Sequence, residues 1–494
     1  GSYRRRFILG STNPALYSTT KTIQTLRIAQ VDKENEVEFK ENIKIKYPDD
    51  ATRKRIYGFF HPYCNAGGGG EKVLWKAVET TLNFNSKNIV LIYTGDEESP
   101  KDILINVERR FGYKFNPKRI VFIYLYKRYL IEPSTWPYFT LIGQAIGTLL
   151  LCYEALSNVC PDVWVDTMGL PFSYPLVALS VKIPIITYTH FPIISGDMLG
   201  KLNVWSPRGL FKYCYWSLFM YLYTLCGSFV DVTMANSTWT YNHLKEIWRF
   251  NSEASMEKVY PPCSTDNLLK VRKNDNEEKE KVIVSLSQFR PEKRHDLILE
   301  EFSDYLQKTE STEKYKLILI GSIRSKDDEK MVKHLKEMAD TLKISSHVEF
   351  VLDCGYDLLK DYLTKSEIGL NAMWNEHFGI VVVEYMAAGL IPLVHASAGP
   401  YLDIVVPWDL NQNEQVDTYN EETRSGFYFK SKKDPDYGND PIKNSKFPGL
   451  SQCILQIEKL SQIEKTKILT RGKEIVLNKF SDVEFDNQFE KVLE

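Results

Sequence analysis

The amino-acid sequence predicts an α/β protein made of two doubly wound, Rossmann-like domains facing a central cleft. Short runs rich in Val, Ile, Phe and Tyr alternate with helical segments along the chain, the pattern of parallel sheets joined by crossover helices. These runs fall into two sets separated by a charged stretch. The length of 494 residues also exceeds what a single core normally organises.

The first set of strands is expected at Arg55–Phe60, Asn88–Tyr93, Arg119–Leu125, Val163–Asp166, Pro184–Thr189 and Val230–Ala235. The second is expected at Val282–Ser287, Lys316–Ile320, Val348–Val351, Ile368–Asn371, Ile391–His395 and Gly426–Phe429. Between them Lys270–Lys281 is mostly Lys, Asp, Asn and Glu and reads as a solvated linker. The expected domains therefore span 53–274 and 275–472. A leader occupies 1–52, and a helix over 473–494 packs back across the domains. Ser431–Phe447 reads as an exposed polar loop.

Composition narrows the class. Hydrophobic content of 43% with 26% charged residues is that of a folded globular chain. A net charge of -2 argues against nucleic acid as a partner held by overall basicity. The eight cysteines form no C-x-x-C pair, which leaves neither a zinc knuckle nor a redox dithiol and fits a reducing compartment. Asn236-Ser237-Thr238 is a lone glycosylation sequon and weak evidence for secretion. Gly1-Ser2 without an initiating Met reads as an expression scar. The triplet Arg4-Arg5-Arg6 then suits either the cytoplasmic flank of a removed membrane helix or an ordinary basic tail.

Two stretches carry no charge: Pro133–Tyr153 over 21 positions and Tyr213–Val230 over 18. Pro137 interrupts the first, hydroxyls fill the second, and neither makes a convincing spanning helix. The aromatics Tyr213, Trp216, Phe219 and Tyr223 suit a headgroup interface or, equally, a buried core helix.

The chemistry concentrates at Asn375–Glu384. Val381–Gly389 reads as a short buried helix opening after Phe378-Gly379, whose first N–H groups favour a phosphate. Glu376 before it and Glu384 inside it could grip a sugar and a ribose on either side of a diphosphate. A capping Glu376 and a Glu384 paired to a nearby cation explain the same residues. Strand Arg55–Phe60 runs into Gly67–Gly70, where four glycines permit positive φ and close backbone approach by a ligand. With Asp96 after the next strand this turn could also hold a dinucleotide. Arg290 and Lys293 follow strand Val282–Ser287, where two cations suit a departing diphosphate or simply a solvated helix start. His190 closes strand Pro184–Thr189 and faces the expected cleft, as a catalytic group or a satisfied hydrogen-bonding one. Asp434-Pro435-Asp436 has a metal-binding form but lies in the polar loop, so no metal and no other cofactor is expected.

Together these segments resemble the retaining GT-B glycosyltransferases of the E-x7-E class over residues 53–494. The carriers are Gly67–Gly70, Arg290 with Lys293, Glu376 with Glu384, and Ala398-Gly399-Pro400 with Asp403-Ile404-Val405. The segments Phe60–Trp75 and Asn375–Glu384 look closest to the eukaryotic family that adds α-1,2-mannoses to dolichol-pyrophosphate-linked oligosaccharide on the cytosolic face of the endoplasmic reticulum. That resemblance implies GDP-mannose as donor, two sequential additions, no metal and an N-terminal membrane anchor. It implies an acceptor and membrane-facing first domain and a donor-binding second one. It also implies a membrane surface as partner and association with other mannosyltransferases of the pathway. By similarity Arg290 and Lys293 hold the diphosphate and Glu384 the ribose. Glu376 orients the mannose, His377, Phe378, Gly379 and Ile380 lie along the phosphate, and Gly68 and Gly69 line the donor. His190 matches a histidine near the donor sugar. Membrane and acceptor contact falls to Tyr213, Trp216, Phe219 and Tyr223. The resemblance further implies retention by front-face attack within an ion pair. Competing readings are a retaining enzyme with a UDP- or ADP-glucose donor and a nicotinamide-dependent oxidoreductase.

Overall fold

The central strands of each sheet are buried on both faces, which is why they read as near-continuous apolar runs. The computed structural model describes residues 55–194, 205–252, 255–263, 265–271 and 279–494. The expected leader with Arg4–Arg6, and 272–278 of the charged linker, lie outside these residues.

The first unit holds β1 (Ile56–Phe60), α1 (Gly69–Phe84), β2 (Ile89–Thr94), α2 (Pro100–Phe111), β3 (Ile120–Tyr124), α3 (Thr140–Asn158), β4 (Val163–Asp166), β5 (Ile185–Thr189), α4 (Pro207–Gly227), β6 (Val232–Ala235), α5 (Thr238–Ile247) and β7 (Met256–Lys258). Its strands lie in the order β3-β2-β1-β4-β5-β6-β7, all parallel. The six expected strands appear within two residues of their predicted bounds. The three-residue edge strand β7 was not anticipated, because Met-Glu-Lys carries no apolar run.

The second unit holds α6 (Asp266–Val271), β8 (Glu280–Leu286), α7 (His295–Lys308), β9 (Lys316–Gly321), α8 (Lys326–Thr341), β10 (Val348–Leu352), α9 (Tyr356–Lys365), β11 (Ser366–Asn371), α10 (Ile380–Ala388) and β12 (Ile391–His395). A small antiparallel pair follows, β13 (Trp408–Asp409) with β14 (Glu414–Gln415), and then β15 (Phe427–Phe429). Helices α11 (Leu450–Glu458), α12 (Gln462–Lys479) and α13 (Asp482–Leu493) close the chain. The main sheet has the order β10-β9-β8-β11-β12-β15, again all parallel.

The units divide at Pro262/Cys263, ahead of the linker read from charge, because α6 packs on α10. The closing segment is two helices. Phe485–Glu494 belongs to the first unit, where Phe485, Phe489 and Leu493 join the core around Trp75.

The two uncharged stretches become α3 and α4. Ser206 caps α4 by accepting the Gly209 N–H, and Pro207 takes the first helical position. Two of its four expected membrane contacts are corrected here. Phe219 is 2% and Tyr223 1% exposed; Phe219 packs on Phe172 and Tyr223 on Trp248 in the core. Trp216 is half-buried against the same core with Lys212 over its ring, and only Tyr213 stands exposed. Asn236 of the sequon is buried and Ser237 caps α5, so neither is open to a glycosylating enzyme in the folded chain. All eight cysteines are free thiols.

Candidate active site

In both sheets the strand order reverses beside the first strand, between β1 and β4 and between β8 and β11. Ligand sites of doubly wound sheets lie beyond the carboxyl ends of the strands at such a reversal. The sequence-predicted residues gather at both places.

In the second unit β8 runs into one 3-10 turn, Pro291–Lys293, followed by Arg294 at φ +58. Pro291 presets the turn and Lys293 ends it, part-buried. Beyond β11, Asn375 at φ +54 swings the chain round before Glu376. The Lys293 ammonium then lies 2.6 Å from Glu376 Oε2 and 3.1 Å from Met373 Sδ. The reversal is thus bridged by an ion pair whose members can separately meet a phosphate and a sugar hydroxyl. Arg290 is exposed, and its charge helps hold Asp328 low, mainly the work of the Arg324 backbone N–H.

Helix α10 opens one residue before its expected start. Gly379 caps it at φ +98 and Gly389 ends it at φ +77, conformations that disfavour other residues. The buried Phe378 ring packs on Phe480, leaving its backbone in the turn that carries Glu376 and His377. Gly399 donates its N–H to the Glu376 carbonyl at 2.9 Å. A Cβ at Gly399 would sit 2.5 Å from Phe378 Cα, so this approach requires glycine. Glu384 lies in the second turn of α10, part-buried, with its charge reaching Tyr356. Tyr385 beside it receives the Leu286 N–H and donates to the Leu370 carbonyl, tying β8 to β11.

In the first unit Gly67, at φ +81, turns the chain into α1. Glu71 Oε2 accepts the Gly68 N–H at 2.5 Å, and its other oxygen lies 3.4 Å from His61 Nε2. Burial raises the Glu71 carboxyl, but the His61 contact and the Gly68 N–H bring it below the usual range. His61 Nδ1 meets Thr167 Oγ1 at 2.8 Å across the reversal, and His190 Nε2 meets the Thr167 carbonyl at 3.1 Å. A Cβ on Gly70 would lie 3.5 Å from His190 Nε2, so the glycine turn adjoins that histidine. Burial drops the His190 imidazole to about 4, which leaves it neutral near pH 7. Because Nε2 carries the proton given to Thr167, Nδ1 presents a lone pair.

Two sequence readings change. Asp96 is not open to a ribose: Arg128 pairs with it at 2.7 Å and the Asn65 N–H donates to it at 2.8 Å. The loop read as exposed instead turns Asp434 inward, where it is buried. Asp434 binds Arg294 and His395, and Asp436 binds Trp374 and Lys430. Sequence reasoning missed His61, Glu71 and Thr167, although His61 ends a strand and Glu71 stands three residues after Gly68 as a cap partner would.

Residues 54–248 match the family described as ALG11 mannosyltransferase N-terminus, and residues 267–433 match Glycosyl transferases group 1. The chain is 48% identical to the GDP-Man:Man(3)GlcNAc(2)-PP-Dol alpha-1,2-mannosyltransferase of Kluyveromyces lactis, over 100% of this chain and 86% of that protein. It is 41% identical to the one from Xenopus laevis over 76% of this chain and 81% of that protein. Among solved structures it is similar to OtsA, with a TM-score of 0.63 at 12% identity, covering 89% of this chain and 99% of that one. It is similar to sucrose-phosphate synthase from Thermosynechococcus elongatus, with a TM-score of 0.59 at 13% identity, covering 89% and 98%. These neighbours show the GT-B class of two parallel-sheet, Rossmann-like domains, and the relatives near half identity over the full chain show that this protein belongs to the family of GDP-Man:Man(3)GlcNAc(2)-PP-Dol alpha-1,2-mannosyltransferases.

Proposed function

We propose that the chain transfers mannose from GDP-mannose to a dolichol-pyrophosphate-linked oligosaccharide, making two α-1,2 linkages in succession with retention at the anomeric carbon. The Lys293–Glu376 pair beside the N-terminus of α10 is the observation that carries this reading. Lys293 and Arg290 take up diphosphate charge as the bond from mannose C1 to the phosphate oxygen breaks. Backbone N–H groups at Phe378–Ile380 face the same anion. Glu376 accepts from mannose hydroxyls, and Glu384 accepts from the ribose. The acceptor hydroxyl oxygen attacks C1 on the face the diphosphate leaves, and its proton passes to the departing phosphate oxygen. His190, neutral with a lone pair on Nδ1, receives a sugar hydroxyl rather than acting as a cationic acid. Gly68 and Gly69 form a turn without side chains against which a substrate can close.

The lipid tail of such an acceptor remains in a bilayer, so the first unit meets the cytosolic surface of the endoplasmic reticulum membrane. Helices α3 and α4 supply a suitable face. Phe139 lies 6.3 Å from Phe211 and 5.7 Å from Tyr215, ring to ring, and Tyr215 Oη receives the Ile142 N–H. Tyr138, Ile146, Tyr153, Leu218 and Tyr221 extend the exposed apolar surface. By length and composition α3 could cross a membrane, but its buried side, including Ala145, Leu151 and Cys152, packs in the sheet core. A helix lying at the interface agrees with that packing.

The test is a donor panel of GDP-mannose, UDP-glucose and ADP-glucose with a lipid-pyrophosphate oligosaccharide acceptor. Transfer is expected from GDP-mannose alone. Transfer from UDP-glucose with none from GDP-mannose rejects the reading.

A further inference from the structure

A directed chain of buried hydrogen bonds ends on the residue that turns the backbone into Glu376. Arg294 pairs with Asp434 Oδ1 at 2.7 Å. Asp434 Oδ2 lies 2.8 Å from His395 Nε2, and His395 Nδ1 lies 2.7 Å from Ser397 Oγ. Ser397 Oγ in turn accepts the Asn375 backbone N–H at 2.9 Å. Only one arrangement of protons satisfies every member with a neutral imidazole. Asn375 donates to Ser397, Ser397 donates to His395 Nδ1, and His395 Nε2–H donates to an ionised Asp434. Burial holds His395 low, and although burial alone would raise Asp434, the bond from His395 brings it below the usual range, which agrees with that assignment. Asp434, His395 and Ser397 are all buried.

The other acid of the same loop acts on the preceding residue. Asp436 Oδ1 receives the Trp374 Nε1–H at 2.9 Å, and its second oxygen is held by Lys430 at 3.1 Å. The polar loop therefore grips both Trp374 and Asn375. Asn375 sits in the left-handed region at φ +54, which asparagine tolerates better than most residues with a side chain, and the bond to Ser397 holds it there. Arg294, at the other end of the chain of bonds, directly follows Lys293. Both members of the Lys293–Glu376 pair are thereby fixed to one buried network.

We propose that Arg294, Asp434, His395 and Ser397, with Asp436 through Trp374, are positioning residues that hold the Asn375 turn so that Glu376 is presented to the transferred sugar. The aspartates of the D-x-D sequence serve as anchors for backbone and side chain. This rests on the reading that Glu376 contacts that sugar.

The test compares Ser397→Ala, Ser397→Thr, Trp374→Phe and Glu376→Gln in the full chain, measuring kcat, KM for GDP-mannose, GDP affinity by calorimetry and Tm. Ser397→Ala and Trp374→Phe are each expected to lower kcat by about 10- to 100-fold, the effect of a misplaced reacting group. GDP affinity should stay within about twofold, because the nucleotide does not depend on Glu376. Ser397→Thr, which keeps the hydroxyl, should recover most of the rate. Unchanged kcat in Ser397→Ala alongside a large loss in Glu376→Gln overturns the positioning role alone. Unchanged kcat in both overturns the site reading beneath it. A Ser397→Thr variant as slow as Ser397→Ala, or GDP affinity falling in step with kcat, assigns the effect to packing and also overturns the proposal.

Discussion

Lys293 and Glu376 stand 83 positions apart in sequence and 2.6 Å apart in space, so each is the other's counter-charge until a phosphate competes for the ammonium. Lys293→Ala removes a charge-assisted contact worth about 1.5–3 kcal/mol, which should lower kcat/KM by roughly 10- to 100-fold. Arg290→Ala should act in the same direction. Full turnover of GDP-mannose by Lys293→Ala would take the residue out of the site. Histidines set an acid limit on stability. His295 stacks on Phe289 and contacts Ser287, and burial drops it from 6.5 to about 4. Between those values the unfolded chain binds a proton that the folded one excludes. The stabilisation is complete above about pH 6.5 and is lost as pH falls toward 4, at up to about 1.4 kcal/mol per pH unit for each such histidine. His295→Phe should keep the stack and flatten the pH dependence of the urea midpoint between pH 6.5 and 4.5. An undiminished slope would show that other groups govern it.

At the scale of elements, α4 has two faces that composition alone does not separate. Its aromatics recur on every side, so no apolar stripe stands out in the sequence. In the fold Phe219 faces the core, whereas Phe211 at 62% and Leu218 at 54% exposure face outward. Phe211→Glu with Leu218→Glu should weaken liposome binding by about tenfold or more, given the apolar area two such side chains bring. Melting temperature and GDP affinity should not change. Flotation equal to wild type would remove α4 from the membrane surface. Phe219→Ala should instead destabilise the first unit by about 3–5 kcal/mol. Most strands of the two main sheets, by contrast, were legible one by one, because burial on both faces demands largely apolar residues; the short edge strand β7 was not. The turn from Phe378 to α10 was legible because glycine is the residue that tolerates φ +98.

For the whole molecule, the chain leaves the first unit at Pro262 and supplies it again with Phe485–Glu494. Phe489 is fully buried there and stacks on Phe485, while Asp486 meets the buried Lys76 ammonium at 2.8 Å. Phe489→Ala should therefore cost about 3–5 kcal/mol, and a chain ending at Glu484 should lose the cooperative unfolding of the first unit. An unchanged calorimetric transition in the shortened chain would mean that the helix is dispensable.

By itself the sequence determined the fold class, the order of the strands along the chain and the glycine turns. Each depends on local pattern or on a residue type with one physical use. It also carried the family, through Phe60–Trp75 and Asn375–Glu384, which together hold the turn and carboxylate chemistry. Tertiary structure decided the partners. Asp96 looked like a ribose acid until Arg128 was brought beside it, and Asp434 read as part of an exposed loop until Arg294 and His395 enclosed it. Nothing local to an aspartate reveals which distant cation or imidazole will neutralise it. That choice is made when the strand ends converge at the two reversals, because a buried carboxylate is stable only with the donors that the packing delivers.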